Sequence, residues 1–197
     1  MTNKKASGQA TRDQILDATL QSLVEDGFAG ATSRVIARRG GFNQALIFYH
    51  FGSLDSLLLA ALERTSKERL EHYREAVRGA STADELVAVA SRAYAEDRLS
   101  GHMSVVAQMV AGSVARPELA PRVVEQMEPW LELAEEALTK AFDDLGLGEV
   151  APIRELAYGV VTFYLGVNLL AHLDPERMRT DALFAQLATI TALRSRS

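Results

Sequence analysis

Apolar side chains recur along this chain at intervals of three and four residues, and nowhere do they alternate with polar ones between hairpin signals. The pattern predicts helices throughout and no sheet. Thr11, with Gln14 three residues on, reads as a capping box that opens the first helix, each side chain satisfying an orphan backbone N–H. Leu16, Leu20, Leu23 and Val24 then share one face until Gly27 stops the helix. Thr32 caps a short second helix that reaches Arg39. Gly40 and Gly41 break it, and Asn43 caps a third that reaches Tyr49. Two short helices across a glycine turn outline a helix-turn-helix. Ser53 begins a long fourth helix with Asp55 at the positive end of its dipole, and nothing interrupts it before Gly79.

Further along, Thr82 and Glu85 form a second capping box, opening a helix to Leu99, and another helix spans 103–115. Pro117 and Pro121 mark a break. The helix predicted over 121–145 contains Pro129, which removes a hydrogen bond and crowds the preceding turn, so a kink is expected near Met127. Gly146 and Gly148 close it. The last two helices are predicted over 152–173 and 175–194, with Pro175 at a first helical position. The expectation is an all-α fold of nine helices without internal repeats. It divides into a flexible tail (1–10), a helix-turn-helix domain (11–52) and a larger helical body (53–197).

Composition changes this picture in three places. Apolar residues make up 48% and charged residues 24%, ordinary globular values that exclude wholesale disorder. There are no cysteines, which removes disulfides and thiolate chemistry together and fits a reducing cytoplasm. The lysines near the N-terminus are not followed by an apolar stretch, so neither a signal peptide nor an anchor is expected. The longest apolar run, Ala157 to Leu173, is shorter than the roughly 20 residues a span requires and is interrupted by Thr162, Asn168 and His172. Net charge is −5, yet residues 1–52 hold six Lys/Arg against four Asp/Glu, and the remainder holds 15 against 22. A basic head on an acidic body suits contact with phosphate at one end only.

The stretches ILDATLQSLVEDGF and ATSRVIARRGGFNQALIFYHFGSLDSLL resemble the N-terminal domain of the TetR family of bacterial regulators. The positions that carry the likeness are Ile15, Leu16 and Ala18; Glu25, Gly27 and Phe28; Thr32, Ile36 and Ala37; Phe48, His50 and Phe51; and Leu57. Three positions depart from the family pattern: Phe48 stands where tyrosine is usual, Leu54 where lysine is usual, and Val35 where an acidic residue is usual. The resemblance implies a DNA-binding head of three helices and a C-terminal domain that binds a small molecule and forms a homodimer.

The residues themselves point the same way. A helix entering the major groove should carry short polar side chains near its N-terminal end, which Asn43, Gln44 and Ala45 provide. Gln44 suits adenine and the Ala45 methyl suits thymine, while Asn43 serves either as a base contact or as a plain N-cap. Thr32, Ser33 and Arg34 gather hydroxyls, free N–H groups and a guanidinium where a phosphate could sit. Arg34 as a solvated charge is the other reading. Tyr49 and His50 are placed to donate to the DNA backbone. The resemblance puts Tyr49 on the exposed side and Phe51 in the core.

In the body, Tyr94, Met103, Val106, Met109, Val110, Met127, Trp130, Leu131, Tyr158 and Phe163 lie on helices that would surround an adaptable, mostly apolar effector pocket. Each of them reads equally as ordinary core. The helix over 152–173 is apolar nearly all round, so one stripe is left for a second partner. Gly159 and Gly166 would allow close approach, with Phe163, Val167 and Leu170 beside them in a dimer interface shared with the last helix. Two recognition helices about 34 Å apart would then read successive half-sites of double-stranded operator DNA. No glycine-rich phosphate loop, His-Glu-x-x-His or nucleophile arrangement occurs, so no enzyme, cofactor or metal site is expected. The expected function is a one-component transcriptional regulator, a repressor released by a small effector. The alternative, drawn from Phe48 and Leu54, is a helical small-molecule-binding protein with weak or lost DNA binding.

Overall fold

In the computed structural model, residues 2–147 and 152–171 are described, together with 182, 183, 185, 186 and 189. The described residues contain α1 (Thr2–Glu25), the single turn α2 (Gly27–Gly30), α3 (Ser33–Gly40), α4 (Ala45–Phe51), α5 (Leu54–Gly79), α6 (Ala83–Ser100) and α7 (His102–Ala115). A 3-10 turn (Pro117–Leu119) then leads to α8 (Ala120–Glu125), α9 (Glu128–Asp144) and α10 (Ile153–Ala171). No strand occurs among them, as the apolar spacing predicts. The helix expected over 175–194 lies, apart from those five positions, outside the described residues, and so does its share of any dimer interface.

Two expectations are corrected. Residues 2–10, expected to form a tail, continue α1 backwards, and Thr11 lies inside that helix instead of capping it. Lysine, alanine and glutamine there favour the helix, no proline opposes it, and Gln9 Nε2 donates to Asp13 Oδ1 one turn on at 2.9 Å. Pro129 breaks the predicted 121–145 helix outright instead of kinking it. It occupies the first turn of α9, where its missing N–H leaves nothing unpaired, and Gln126 and Met127 form the break.

The described residues fall into two compact units, those of Met1–Lys67 with Ser104–Gln126 and those of Glu68–Met103 with Met127–Ser197. The first unit is therefore larger than the head expected over 11–52. Its core joins Ile15, Leu16 and Leu23 of α1, Ile36 of α3, Ile47 of α4 and Leu57, Leu58 and Leu62 of α5 to Val105 and Met109 of α7 and Val123 of α8. In the second unit, Leu70, Tyr73 and Val77 of α5 pack with Leu86 and Val89 of α6 and Leu133 of α9, and α9 also packs on α10. Thr82 and Glu85 form the capping box that starts α6, as expected. One helix, α5, runs without interruption from the first unit into the second.

Candidate nucleic-acid interface

Two glycines set the turn between α3 and α4, for different reasons. Gly41 holds φ at +69° and sends its N–H to the carbonyls of Ala37 and Arg38, ending α3 in a left-handed conformation that other residues resist. Gly40 has no room for a side chain, since a β-carbon there would lie 2.1 Å from the Phe42 ring, which packs against the core. At the far side of α3, the Thr32 hydroxyl accepts from Val35 N–H at 3.3 Å, the N-cap its position predicts. Asn43 Oδ1 accepts from Ala45 N–H at 2.8 Å, but Gln44, one residue on, takes the N-cap position of α4 expected for Asn43. Gln44 Nε2 donates to Ser33 Oγ at 2.6 Å, which ties the N-terminal ends of the two helices together.

Helix α4 has only seven residues, far too few to hold its shape alone. Ile47 is wholly buried, and Leu46 and Phe51 pack against the same core. That packing turns the opposite face to solvent. Gln44 and Ala45 are exposed, Phe48 is 47% exposed and Tyr49 82%.

Helix α1 backs this pair with polar tethers. Arg12 Nη1 donates to the His50 carbonyl at 3.2 Å while its guanidinium lies 4.2 Å over the Phe51 ring, placing a cation at the negative end of α4. Gln14 Nε2 donates to the Gly40 carbonyl at 2.8 Å. Arg39 reaches Ser22 at 3.1 Å, Glu25 at 2.5 Å and Asp26 at 2.8 Å. From α5, Arg64 pairs with Asp17 at 2.5 Å. These arginines are used internally, whereas Arg34 and Arg38 stand exposed, four residues apart on α3. Between Asp26 and Asp55 the chain holds three arginines and no acidic residue, so nothing in this segment opposes a phosphate.

Of the residues expected at the DNA, Thr32, Arg34, Asn43, Gln44, Ala45 and Tyr49 are exposed, and Ser33 and His50 are half-buried. The sequence reading did not single out Arg38 or Arg12, and took Phe48 only as a departure from the family pattern. Arg38 was legible in its spacing from Arg34; the other two depend on which way α4 faces. Leu54, which stands in place of a lysine, is half-buried against the core and contributes packing there.

The second unit holds a buried polar centre that no sequence motif announced. The Asp97 side chain is 1% exposed and takes Arg69 Nε at 3.3 Å. It accepts from Tyr73 OH at 2.6 Å and from Tyr164 OH at 2.7 Å, so one carboxylate of α6 joins α5 to α10. Burial, and then Asp97, push both phenols well above the usual tyrosine range. Beside them His102 stacks on Trp130 with ring centres 5.7 Å apart, and Trp130 lies 6.2 Å from Tyr73. Burial holds the His102 imidazole down at about 4, against the opposing pull of Asp97, so it is neutral at physiological pH.

The ten residues expected around an effector are divided between the two units. Met109 is fully buried in the core of the first unit, with Val106 and Val110 packed against it. Tyr94 and Met103 are buried and Met127, Trp130 and Leu131 half-buried in the second unit, while Tyr158 and Phe163 are exposed on α10. That helix shows a buried stripe at Ala157 and Asn168 and an outer one at Leu156, Val160, Phe163 and Leu170, between 37% and 63% exposed. Gly159 and Gly166 have no atom within 4 Å of where a β-carbon would stand. Val167 is half-buried.

A short, outward-facing helix behind a glycine turn, with only helices among the described residues, is the arrangement of a helix-turn-helix DNA-binding protein. The profile described as bacterial regulatory proteins, tetR family, matches residues 15–61. The HTH-type transcriptional regulator BetI of Stenotrophomonas maltophilia (strain R551-3) is 30% identical over 190 residues, covering 82% of this chain and 96% of that protein. The HTH-type transcriptional regulator UidR of Escherichia coli (strain K12) is 23% identical over 188 residues, covering 94% and 93%. The fold is that of FadR from Bacillus subtilis in complex with stearoyl-CoA, with a TM-score of 0.76 at 16% identity over 90% of this chain and 96% of that one. The chain belongs to the tetR family and is a transcriptional regulator.

Proposed function

We propose that the chain binds a near-palindromic operator as a homodimer and acts as a repressor that a small, mostly apolar effector releases. The observation that carries the reading is the outward face of α4, where Gln44, Ala45, Phe48 and Tyr49 are held out by the burial of Ile47. Gln44 and Ala45 read base edges, Asn43 stands beside them at the start of the same helix, and Thr32, Ser33, Arg34, Tyr49 and His50 hold phosphates. The Gln44 amide has four bonding positions and its contact with Ser33 uses one, so pairing with adenine remains open to it.

The apolar outer stripe of α10, open at Gly159 and Gly166, supports the homodimer, since an uncovered stripe of this kind is stabilised by a second copy of itself. The effector site is drawn from the second unit: Tyr94, Met103, Met127, Trp130 and Leu131 supply apolar surface beside the polar centre at Asp97. Since α5 belongs to both units, a ligand that favours one placement of this helix lowers DNA affinity by the ratio of its affinities for the two states. Work on operator DNA assigns the chain to the bacterial cytoplasm and leaves no step for an enzyme.

A gel shift with fragments selected from genomic DNA tests the interface. Gln44→Ala should weaken the complex by about 1 to 3 kcal/mol at its cognate base. Arg34→Ala should weaken binding to all sequences and reduce the salt slope by about 1. Unchanged affinity in both variants removes this interface. Ligand binding without any salt-sensitive DNA complex would instead establish the alternative, a helical small-molecule-binding protein.

A further inference from the structure

Three positions, two on α7 and one just past its end, meet a single residue, Phe28. Gln108 Oε1 accepts from Phe28 N–H at 2.9 Å. One turn on, a β-carbon at Gly112 would lie 2.3 Å from the Phe28 ring, so the helix backbone approaches that ring directly. A further turn on, the Arg116 guanidinium lies 5.2 Å over the same ring and also pairs with Asp55. Residues 108 and 112 are four apart on one helical face, and Arg116 follows one residue past the end of α7. Arg116 keeps that register, its N–H donating to the Gly112 carbonyl at 2.9 Å.

The two residues that Arg116 touches bracket the DNA-binding segment. Phe28 lies in the single turn α2, three residues past the end of α1, and Asp55 stands in the first turn of α5, just past the end of α4. Everything between them is α3, α4 and their connections. We infer that Arg116 is a positioning residue that clips both ends of the helix-turn-helix to α7, fixing the angle at which α3 and α4 are presented to DNA. The inference rests on the DNA-binding reading above. Its chemistry needs both properties of arginine: a planar cation to lie over the Phe28 ring and a charged N–H group to hold the Asp55 carboxylate.

The test uses the full chain and a genomic fragment that the unaltered protein binds. Arg116→Ala should weaken that complex at least tenfold while leaving the salt slope of binding unchanged, because Arg116 releases no counterion itself. Arg116→Lys, which keeps the charge but not the planar cation, should fall between the two, and it decides the matter if the alanine variant does not fold. The charge-exchanged pair Asp55→Arg with Arg116→Asp should recover most of the affinity lost in Arg116→Asp alone. Unaltered affinity in the single variants overturns the clip. So does a salt slope lowered by about 0.9, the signature of a lost phosphate contact, or a complete lack of recovery in the exchanged pair. Failure of the unaltered chain to bind any fragment refutes the DNA-binding reading itself, which keeps the two outcomes apart.

Discussion

Asp97→Ala should lower the stability of the protein by about 3 kcal/mol in urea unfolding at a fixed protein concentration. Removing one member of a buried ionic group costs about 3 to 5 kcal/mol, because the partners stay behind without compensation. Here the partners are Arg69 and the hydroxyls of Tyr73 and Tyr164. The lower end applies because Arg69 keeps a bond to the Glu96 carbonyl at 3.2 Å and Tyr73 OH has the Ala93 carbonyl at 3.2 Å. Tyr164 loses its acceptor and keeps its hydrogen bond with the Asn168 side chain. Asp97→Asn retains one acceptor oxygen but presents an N–H₂ to groups that are themselves donors, so its loss should be smaller, about 1 to 2 kcal/mol. A change below 1 kcal/mol for Asp97→Ala would mean that the carboxylate does not hold α5, α6 and α10 together.

Ile47→Ala should be nearly as damaging, by another route, and should take DNA binding with it. The side chain is wholly buried, and truncating a buried isoleucine costs about 2 to 5 kcal/mol through lost transfer energy and the cavity left behind. Apart from Ile47, this helix of seven residues is fixed in rotation by the flanking Leu46 and Phe51, the Gln44–Ser33 bond and the Arg12 tether. Its exposed face would no longer be aimed, so affinity should fall more than tenfold even at temperatures where the variant remains folded. Two comparisons make the test sharp. Ile47→Val should lose only about 0.5 to 1.5 kcal/mol and keep its operator complex. Tyr49→Ala, altering a residue 82% exposed, should leave stability within about 0.5 kcal/mol while weakening the complex. Equal stability of Ile47→Ala and Tyr49→Ala would contradict the placement of α4.

Much of the helix-turn-helix was legible because its signals are local. Thr32 as a cap and Gly40 with Gly41 as a helix break each depend on neighbours within a few positions. The two capping boxes show where such signals run out. Thr11 and Thr82 carry the same spacing, but Thr82 follows Gly79, Ala80 and Ser81, which end the preceding helix, whereas Thr11 follows residues that favour continuing one. Pro129 was read correctly as a disturbance and wrongly as a kink, since position in the first turn and position in the interior differ only by where the helix begins.

The polar centre and the Arg116 clip were illegible for a different reason. Asp97 sits among Ala95, Glu96 and other helix-forming residues and looks like solvated surface; its partners lie 24 and 67 residues away. Asp55 was read as an acidic residue favouring its own helix end, yet its strongest partner is 61 residues on. Contacts of that range are created by packing, and no periodicity in one segment announces them. The outer stripe of α10 lies between these extremes. Sequence shows the helix is apolar all round, but only its packing on α9 shows which stripe is left uncovered.

The central claim is that two copies of α4, related by a twofold axis, enter successive turns of one groove. Hydroxyl-radical footprinting of the complex on a selected genomic fragment tests it most directly. Two protected patches of equal extent, centred about 10 base pairs apart on one face of the duplex or at a multiple of that spacing, are the result expected. A single patch, or two patches on opposite faces, would contradict it.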